Sequence, residues 1–169
     1  MPNDRFYWNI HNIPPLGRIL FLINQNQDAI SAIIPETHRD FDSYQQRYLL
    51  LQDAPLVDHA AHQIIEYING DRVIFDRIYT PSGSHFQLSV WSTLSKTDYG
   101  ETYSYKDIAS MMDIPGSYRA VASAIAANPL LIVIPCHRIT LKNQTIGNYS
   151  AGKILKEKLL CIERMHRKY

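Results

Sequence analysis

Cysteine is scarce in this chain: its 169 residues contain only Cys136 and Cys161. Two cysteines do not form the disulfide framework of a small secreted protein, and free thiols persist in a reducing compartment. The chain also lacks an apolar run of the roughly 20 residues that a membrane helix needs, and its first residues lack a signal-peptide pattern. We therefore expect a cytoplasmic protein (nuclear in a eukaryote) that does not enter a membrane.

Net charge is also small, at +1, but the charges are unevenly distributed. Residues 1–81 carry 6 Lys and Arg against 10 Asp and Glu, a balance of −4, whereas residues 82–169 carry 11 against 6, a balance of +5. This division indicates that the second half contacts a polyanion such as a nucleic acid; a chance distribution is the alternative. Because Pro81-Ser82-Gly83-Ser84 interrupts the chain, we predict two domains, 1–81 and 82–169.

The first half has the pattern of a small sheet with a helix. Residues 6–10, 17–23 and 29–34 are apolar runs separated by turn residues, which predicts antiparallel strands. Pro55 is placed to begin a helix that Gly70 ends. Residues 73–79 predict one further short strand.

The second half has the pattern of a helix-turn-helix. Ser84 precedes a predicted helix whose apolar face carries Phe86, Val90, Trp91 and Leu94. Ser104-x-x-Asp107 has the form of a capping box and opens a second helix. After the turn at Ile114-Pro115-Gly116, Ser117 can cap a third helix that runs to Ala127.

The third of these helices carries an unusual surface. Val121, Ala124 and Ile125 share one face, which must pack inward. The other face carries Arg119, Ala122, Ser123 and Ala126. Small side chains below a single long cation favour close approach to a DNA backbone or a minor groove; an Ala-rich structural helix with an exposed Arg is the alternative.

The cysteine of greatest interest follows an apolar run. Residues 130–134 predict a short buried strand or core segment that Pro135 ends. A thiol beside His137 and Arg138 is a setting in which a depressed thiol pKa is expected; a buried structural Cys136 with a surface His-Arg pair is the alternative. In the predicted C-terminal helix, residues 151–167, Glu163 borders the apolar stripe and needs a partner, for which His137 is the best candidate.

The cysteine segment resembles a known family. Asn-Pro-x4-Ile-Pro-Cys-His-Arg-Ile, starting at Asn128, is followed by Gly147-Asn148-Tyr149-Ser150 and by Glu163. This string resembles the O6-alkylguanine-DNA alkyltransferases, and the resemblance is specific from about Ser84 to Glu163. It implies an α+β protein with a small antiparallel, RNase H-like N-terminal sheet and helix. The C-terminal domain would be helical, with a winged-helix-like helix-turn-helix and the active-site cysteine.

The resemblance implies direct-reversal DNA repair. One alkyl group, typically methyl, would move irreversibly from O6 of guanine (also O4 of thymine) in duplex DNA to Cys136 after base flipping. The protein would act once, as a monomer and without a cofactor. Cys136 would be the nucleophile, His137 its base and Glu163 the group that orients the imidazole. Adjacent residues of an extended segment point in opposite directions, so we expect a water between Cys136 and His137.

The resemblance also implies roles for residues that contact DNA. Arg119 would fill the space of the flipped base, Tyr105 would crowd the phosphate, and Asn128 would tie the helix-turn-helix to the active-site turn. The complete set of implied contacts is Tyr105, Arg119, Ala122, Ser123, Ala126, Asn128, Arg138, Ile139, Gly147, Tyr149 and Ser150.

The sequence also bears on a metal site and on two other functions. Some members of the family hold zinc through N-terminal Cys and His, but no Cys precedes Cys136, so we predict no metal; His59 and His62 favour a solvated helix face. A non-enzymatic lesion-binding module of the same fold would lack the nucleophile, and Cys136 argues against it. An unrelated thiol enzyme that acts on a small molecule would leave the helix-turn-helix unexplained.

Overall fold

The structure is a computed structural model that describes residues 5–52, 54–141 and 145–167. It is a mixed α+β fold with one sheet and six α-helices in these residues. None of the helices in these ranges is both long and apolar enough to cross a membrane.

The first half forms a four-stranded sheet in the order β3-β2-β1-β4. Strands β1 (Phe6–Ile13), β2 (Gly17–Asn24) and β3 (Ala29–Pro35) are antiparallel neighbours, which confirms the predicted strands. Strand β4 (Leu49–Leu50) pairs parallel to β1 and was not predicted. All residues of β3 are buried, because both faces of this strand are covered.

Helices cover the two faces of the sheet. The short helix α1 (Phe41–Arg47) closes a small apolar cluster around Leu20 and Leu22 on one face. The longer helix α2 (Pro55–Ile68) packs on the main core, to which Phe21 belongs. Pro55 at the first helical turn and Gly70 in the left-handed conformation, with φ 79°, confirm the predicted start and stop.

The strand predicted at residues 73–79 is wrong. Only Tyr79 forms a bridge, to Ile30, and the Thr80 N–H donates to the Ile30 carbonyl at 2.9 Å. Val73 and Ile74 are 54% and 82% exposed, whereas Phe75, Ile78 and Tyr79 pack against the main core, so the inward residues do not alternate as they would in a strand. Its last residues instead cover the free edge of β3.

The second half contributes helices α3 (His85–Leu94), α4 (Tyr105–Met111), α5 (Tyr118–Ala126) and α6 (Lys153–His166). Helices α4 and α5 pack on each other across a turn and both contact α3. The predicted helix-turn-helix is therefore present.

The helix caps follow the sequence in two of three cases. Ser84 caps α3 in a capping box with Gln87, and Ser104 caps α4 in the predicted box with Asp107. Ser117 precedes α5 but its side chain makes no capping hydrogen bond. Phe86, expected on the apolar face of α3, is 38% exposed, whereas Val90, Trp91 and Leu94 on that face are buried as expected.

One buried core contains residues from both sides of the predicted boundary at residue 81. Ile33 of β3 pairs with Leu130 through a single bridge, and the Ile33 N–H donates to the Pro129 carbonyl at 2.8 Å. The division into domains 1–81 and 82–169 stays a prediction, as do the RNase H-like and winged-helix-like comparisons. The polar residues Lys142, Asn143 and Gln144 predict a turn, and this segment lies outside the described residues.

Candidate active site

The segment before the cysteine is a buried turn rather than a strand. Leu130 forms only one bridge, and Ile132 then adopts a left-handed φ of 75°, which reverses the chain. The Ile134 N–H closes the turn on the Leu130 carbonyl at 2.9 Å. A β-branched residue rarely adopts this conformation, so the surrounding core must hold it in place. Of the two sequence predictions, the buried core segment is the one confirmed.

Asn128 links the end of α5 to the cysteine. Its side-chain Nδ2 donates to the Ile134 carbonyl at 2.9 Å and to Cys136 Sγ at 3.0 Å. Its Oδ1 accepts from the Leu130 N–H at 3.0 Å. Asn128 is buried, and these bonds fix the position of the sulfur relative to the helix-turn-helix.

Cys136 opens onto a cavity of about 320 Å³. Helices α4, α5 and α6, the turn at Cys136 and two loops form its wall. The lining residues are Arg39, Tyr105, Ile125, Ala126, Cys136, Asn148, Tyr149, Ser150 and Lys156. This volume is that of a typical pocket for a small organic ligand, so a purine base is of suitable size.

The thiol of Cys136 is protonated in the resting protein at neutral pH. Burial raises its pKa to about 11, although the hydrogen bond from Asn128 and the nearby Lys156 ammonium act in the opposite direction. The expectation of a depressed thiol pKa is therefore wrong for this structure. Because the thiolate is the nucleophile, a base must take the proton before Cys136 can react.

His137 and Glu163 form a buried pair behind the cysteine. His137 Nε2 lies 2.7 Å from Glu163 Oε1, which confirms the predicted partnership, and both side chains are fully buried. Burial lowers the pKa of His137, so the imidazole is neutral at pH 7. Burial opposes ionisation of Glu163, but the contacts with His137 and Arg138 hold its pKa at about 2.

Cys136–Arg138 form a single 3-10 turn, not the extended segment assumed from the sequence. Nε2 of His137 is engaged by Glu163, whereas Nδ1 is buried and has no hydrogen-bond partner among the residues that the structure describes. Nδ1 is therefore the ring nitrogen available to accept a proton. The water expected between Cys136 and His137 stays a prediction.

Arg138 is buried and bonded to groups of the protein, an arrangement that argues against its predicted contact with DNA, which stays a prediction. Its guanidinium donates from Nε to both carboxylate oxygens of Glu163 at 3.0 Å and from Nη2 to Oε1 at 2.9 Å. Nη1 donates to the Thr97 carbonyl at 2.6 Å. The side chain is 5% exposed because it compensates the buried charge of Glu163.

Lys156, which was not among the predicted site residues, is a buried cation beside the cysteine. Its side chain is 1% exposed, lines the cavity, and hydrogen-bonds through Nζ to the Ile139 carbonyl. Burial lowers its pKa, whereas the nearby Cys136 thiolate would raise it. Lys156 lies seven residues before Glu163 and therefore on the same side of α6. This spacing in the sequence could have indicated that Lys156 lies near the site.

The other residues implied by the resemblance fall into two groups. Tyr105, Ala126, Tyr149 and Ser150 line the cavity. The remaining residues lie elsewhere: Arg119 and Ser123 are exposed on α5, Ala122 is half-buried there, and Ile139 and Gly147 are buried.

Two residues from the first half of the chain reach the site and were also absent from the predicted site residues. Arg39 lines the cavity although it lies in the loop after β3. This loop is held to the second half by a 2.6 Å hydrogen bond from Thr37 Oγ1 to the Ala151 carbonyl. Tyr67 of α2 donates its hydroxyl to Glu163 Oε1 at 2.6 Å. The helical spacing predicts burial of Tyr67, but nothing local in the sequence identifies its partner.

Within the described ranges, no group of three or more His, Cys, Asp and Glu side chains is arranged to hold a metal ion. His59 pairs with Asp76 at 3.1 Å and His62 with Glu66 at 3.4 Å. The prediction that the protein holds no metal stays a prediction.

The fold and the site together are those of a helix-turn-helix protein with a cysteine, a histidine and a glutamate clustered beside a cavity. The family model described as 6-O-methylguanine DNA methyltransferase, DNA binding domain, matches residues 85–165. The inducible methylated-DNA–protein-cysteine methyltransferase of Bacillus subtilis is 35% identical over 157 residues, which are 93% of this chain and 85% of that protein. The Haemophilus influenzae protein of the same name is 33% identical over 156 residues, covering 89% and 83% of the two chains.

Solved structures agree with these relatives. The O6-methylguanine methyltransferase of Mycobacterium tuberculosis superimposes with a TM-score of 0.83 at 26% identity, over 96% of this chain and 95% of that one. The same organism's OGT in complex with DNA gives a TM-score of 0.80 at 26% identity, over 96% and 94%. The chain belongs to the methylated-DNA–protein-cysteine methyltransferase family.

Proposed function

We propose that this protein repairs O6-alkylguanine in duplex DNA by moving the alkyl group to its own Cys136. The observation that carries the proposal is the position of the Cys136 sulfur, which lies in the wall of a base-sized cavity beside a helix-turn-helix. Family membership supports the same activity, since the relatives are methylated-DNA–protein-cysteine methyltransferases.

The reaction begins with a proton transfer. Neutral His137 takes the Cys136 proton at Nδ1, directly or through a water, because Nε2 is engaged by Glu163. Glu163 stabilises the imidazolium that results, and Arg138 keeps the Glu163 carboxylate in its charged form. The Lys156 ammonium lowers the pKa of the buried Cys136, as does the Asn128 hydrogen bond, so both favour the thiolate.

The alkyl transfer is a displacement at carbon. The thiolate forms an S–C bond with the alkyl carbon while the C–O6 bond breaks and its electron pair stays on guanine. The proton held by His137 neutralises the guanine anion, so atoms and charges balance. The thioether on Cys136 has no leaving group that water can displace under mild conditions, so each molecule acts once.

The base must leave the duplex to reach the cavity. Ala126, at one end of α5, lines the cavity, and Arg119 lies about 10 Å away along the helix axis. In this arrangement the exposed face of α5 enters the minor groove, and Arg119 occupies the space that the flipped base leaves. Tyr105 and Tyr149 would bracket the base, with Ser150 near O6.

One chain holds the nucleophile, the base, the carboxylate and the whole described wall of the cavity. We therefore propose that the protein acts as a monomer on double-stranded DNA. O6-alkylguanine is the proposed substrate, and O4-alkylthymine offers the same type of carbon to the thiolate.

An intact-mass measurement tests the proposal. The protein is incubated with a duplex that contains one O6-methylguanine, alongside the Cys136→Ser variant and the Cys161→Ser control. We expect a stoichiometric gain of one methyl group in the wild type and in Cys161→Ser, and none in Cys136→Ser. Selective binding of the lesion without any gain of mass would instead identify a lesion-binding module.

A further inference from the structure

Tyr67 is a hydroxyl from the first half of the chain at the centre of the candidate active site. It extends from α2, is 1% exposed, and lies far in sequence from every other member of the cluster. Its hydroxyl oxygen is 2.6 Å from Glu163 Oε1 and 3.2 Å from His137 Nε2. The proposed reaction assigns no task to it.

The hydrogen bonds around Tyr67 determine where its proton lies. Glu163 is ionised, so Oε1 can only accept, and the Tyr67 proton points to it. The Tyr67 oxygen then presents lone pairs toward His137 Nε2. Both neighbours of Nε2, the Glu163 carboxylate and the Tyr67 oxygen, are therefore acceptors, so Nε2 must carry the imidazole proton and Nδ1 must be unprotonated.

We infer that Tyr67 is a positioning residue that holds His137 in the tautomer able to take the Cys136 proton. The inference rests on the proposed function, because it gives Tyr67 a task in the same reaction. The first half of the chain thereby controls a proton transfer carried out entirely by residues of the second half.

The ring of Tyr67 is held firmly enough for this task. It packs edge-on against Tyr99 with ring centroids 5.6 Å apart and at a tilt against Phe75, also at 5.6 Å. Burial raises the pKa of Tyr67 well above its usual 10, and the adjacent Glu163 carboxylate acts in the same direction, so the hydroxyl keeps its proton at every working pH.

Tyr67 is one of four titratable groups around His137 and Glu163. The groups that face His137 and Glu163 from the elements packed against them are Arg138 in the cysteine turn, Lys156 on α6, Tyr67 on α2 and Tyr99 before α4. Tyr67 alone among these four is hydrogen-bonded to Glu163 and within hydrogen-bonding distance of the ring of His137.

Removal of the hydroxyl should change the titration of His137. In Tyr67→Phe, Glu163 loses the hydrogen bond from the Tyr67 hydroxyl, which partly neutralises its negative charge. The carboxylate then stabilises the His137 imidazolium more strongly, so the pKa of His137 rises. The acid limb of the pH–rate profile should then move upward by about half a pH unit, and the plateau rate should fall about tenfold, because the imidazole loses one of the two acceptors that hold its ring in place.

The test compares Tyr67→Phe with Tyr79→Phe in the intact protein. Tyr79 belongs to the same aromatic cluster, with its ring 6.0 Å from Phe75, and its buried hydroxyl has no hydrogen-bond partner in the described part of the chain. The rate of Cys136 alkylation by free O6-benzylguanine is measured against pH, and His137 is titrated separately by NMR of histidine-labelled protein. We expect both readouts to shift in Tyr67→Phe and neither to shift in Tyr79→Phe.

Each other outcome is decisive. Unchanged readouts in Tyr67→Phe, or equal shifts in both variants, would overturn the inference in favour of simple packing. If Tyr67→Phe does not fold, difluorotyrosine at position 67 keeps the hydroxyl as a stronger donor, and the His137 pKa should then fall; no change would overturn the inference. If the wild type does not react but its His137 titration depends on Tyr67, the proposed function fails and the positioning role stands.

Discussion

Replacement of Arg138 by Met is the most informative single perturbation, because sequence and structure give Arg138 different roles. The variant keeps an unbranched side chain of similar length but removes the bonds to Glu163 and Thr97. Loss of one member of a buried ion pair costs about 3–5 kcal/mol, because the remaining charge stays buried without its partner. In a protein of this size such a loss lowers the melting temperature by about 2–4 °C per kcal/mol.

Urea denaturation measures this effect, with Arg164→Met as the control, since Arg164 is an exposed arginine on α6. We expect Arg138→Met to lower the free energy of unfolding by at least about 3 kcal/mol and Arg164→Met to change it by less than about 0.5 kcal/mol. In the background of Glu163→Gln, the cost of Arg138→Met should be smaller by about 1 kcal/mol or more, because the charge that Arg138 compensates is absent.

DNA binding provides the opposing test for Arg138→Met. At a temperature where the variant is folded, its affinity for unmodified duplex should depend on salt as the wild type does. An arginine that contacts phosphate would instead reduce the salt slope by about one. Unchanged stability with a reduced salt slope would refute the structural role of Arg138 and restore the contact implied by the sequence.

Three further predictions concern Glu163, Arg119 and Lys156. Because the pKa of Glu163 is about 2 rather than its usual 4.5, its charge stabilises the fold above pH 4.5, and this contribution, on the order of 3 kcal/mol, is lost as the pH falls towards 2. Urea denaturation of Glu163→Gln should therefore show a flatter pH dependence over this range; an equally steep one would contradict the pKa. Arg119→Ala should slow repair of duplex DNA in single-turnover assays much more than reaction with free O6-benzylguanine, since only the duplex requires flipping, and equal losses would remove its proposed role. Lys156→Met should raise the pKa of Cys136 further and slow its alkylation by iodoacetamide at pH 8, whereas the exposed Lys153→Met should not; equal rates in the two variants would exclude an electrostatic role for Lys156.

The local structure was predictable where short-range chemistry determines it. Capping boxes at Ser84 and Ser104 depend on residues three apart, so the sequence places the starts of α3 and α4 correctly. The pairing of Glu163 with His137 was predictable for another reason, since a carboxylate on an apolar stripe needs a partner and the family motif supplies His137.

The rest of the site depends on contacts between distant segments. Tyr67 and Glu163 are 96 residues apart in the chain, so no local pattern indicates their hydrogen bond. Arg138 belongs to the cysteine motif and was assigned to DNA by the family resemblance, but the 3-10 turn directs it inward. The raised pKa of Cys136 arises from burial of the thiol, which adjacent basic residues in a sequence do not reveal.

The central claim is that Cys136 receives the alkyl group from guanine and keeps it. The most direct test uses a duplex with a deuterated methyl group on O6 of one guanine, followed by peptide mapping of the protein and nucleoside analysis of the DNA. We predict one label per protein molecule, all of it on Cys136 and none on Cys161, with an equal amount of unmodified guanine restored. Label on Cys161, release of the label into solution, or more guanine restored than protein present would contradict the claim.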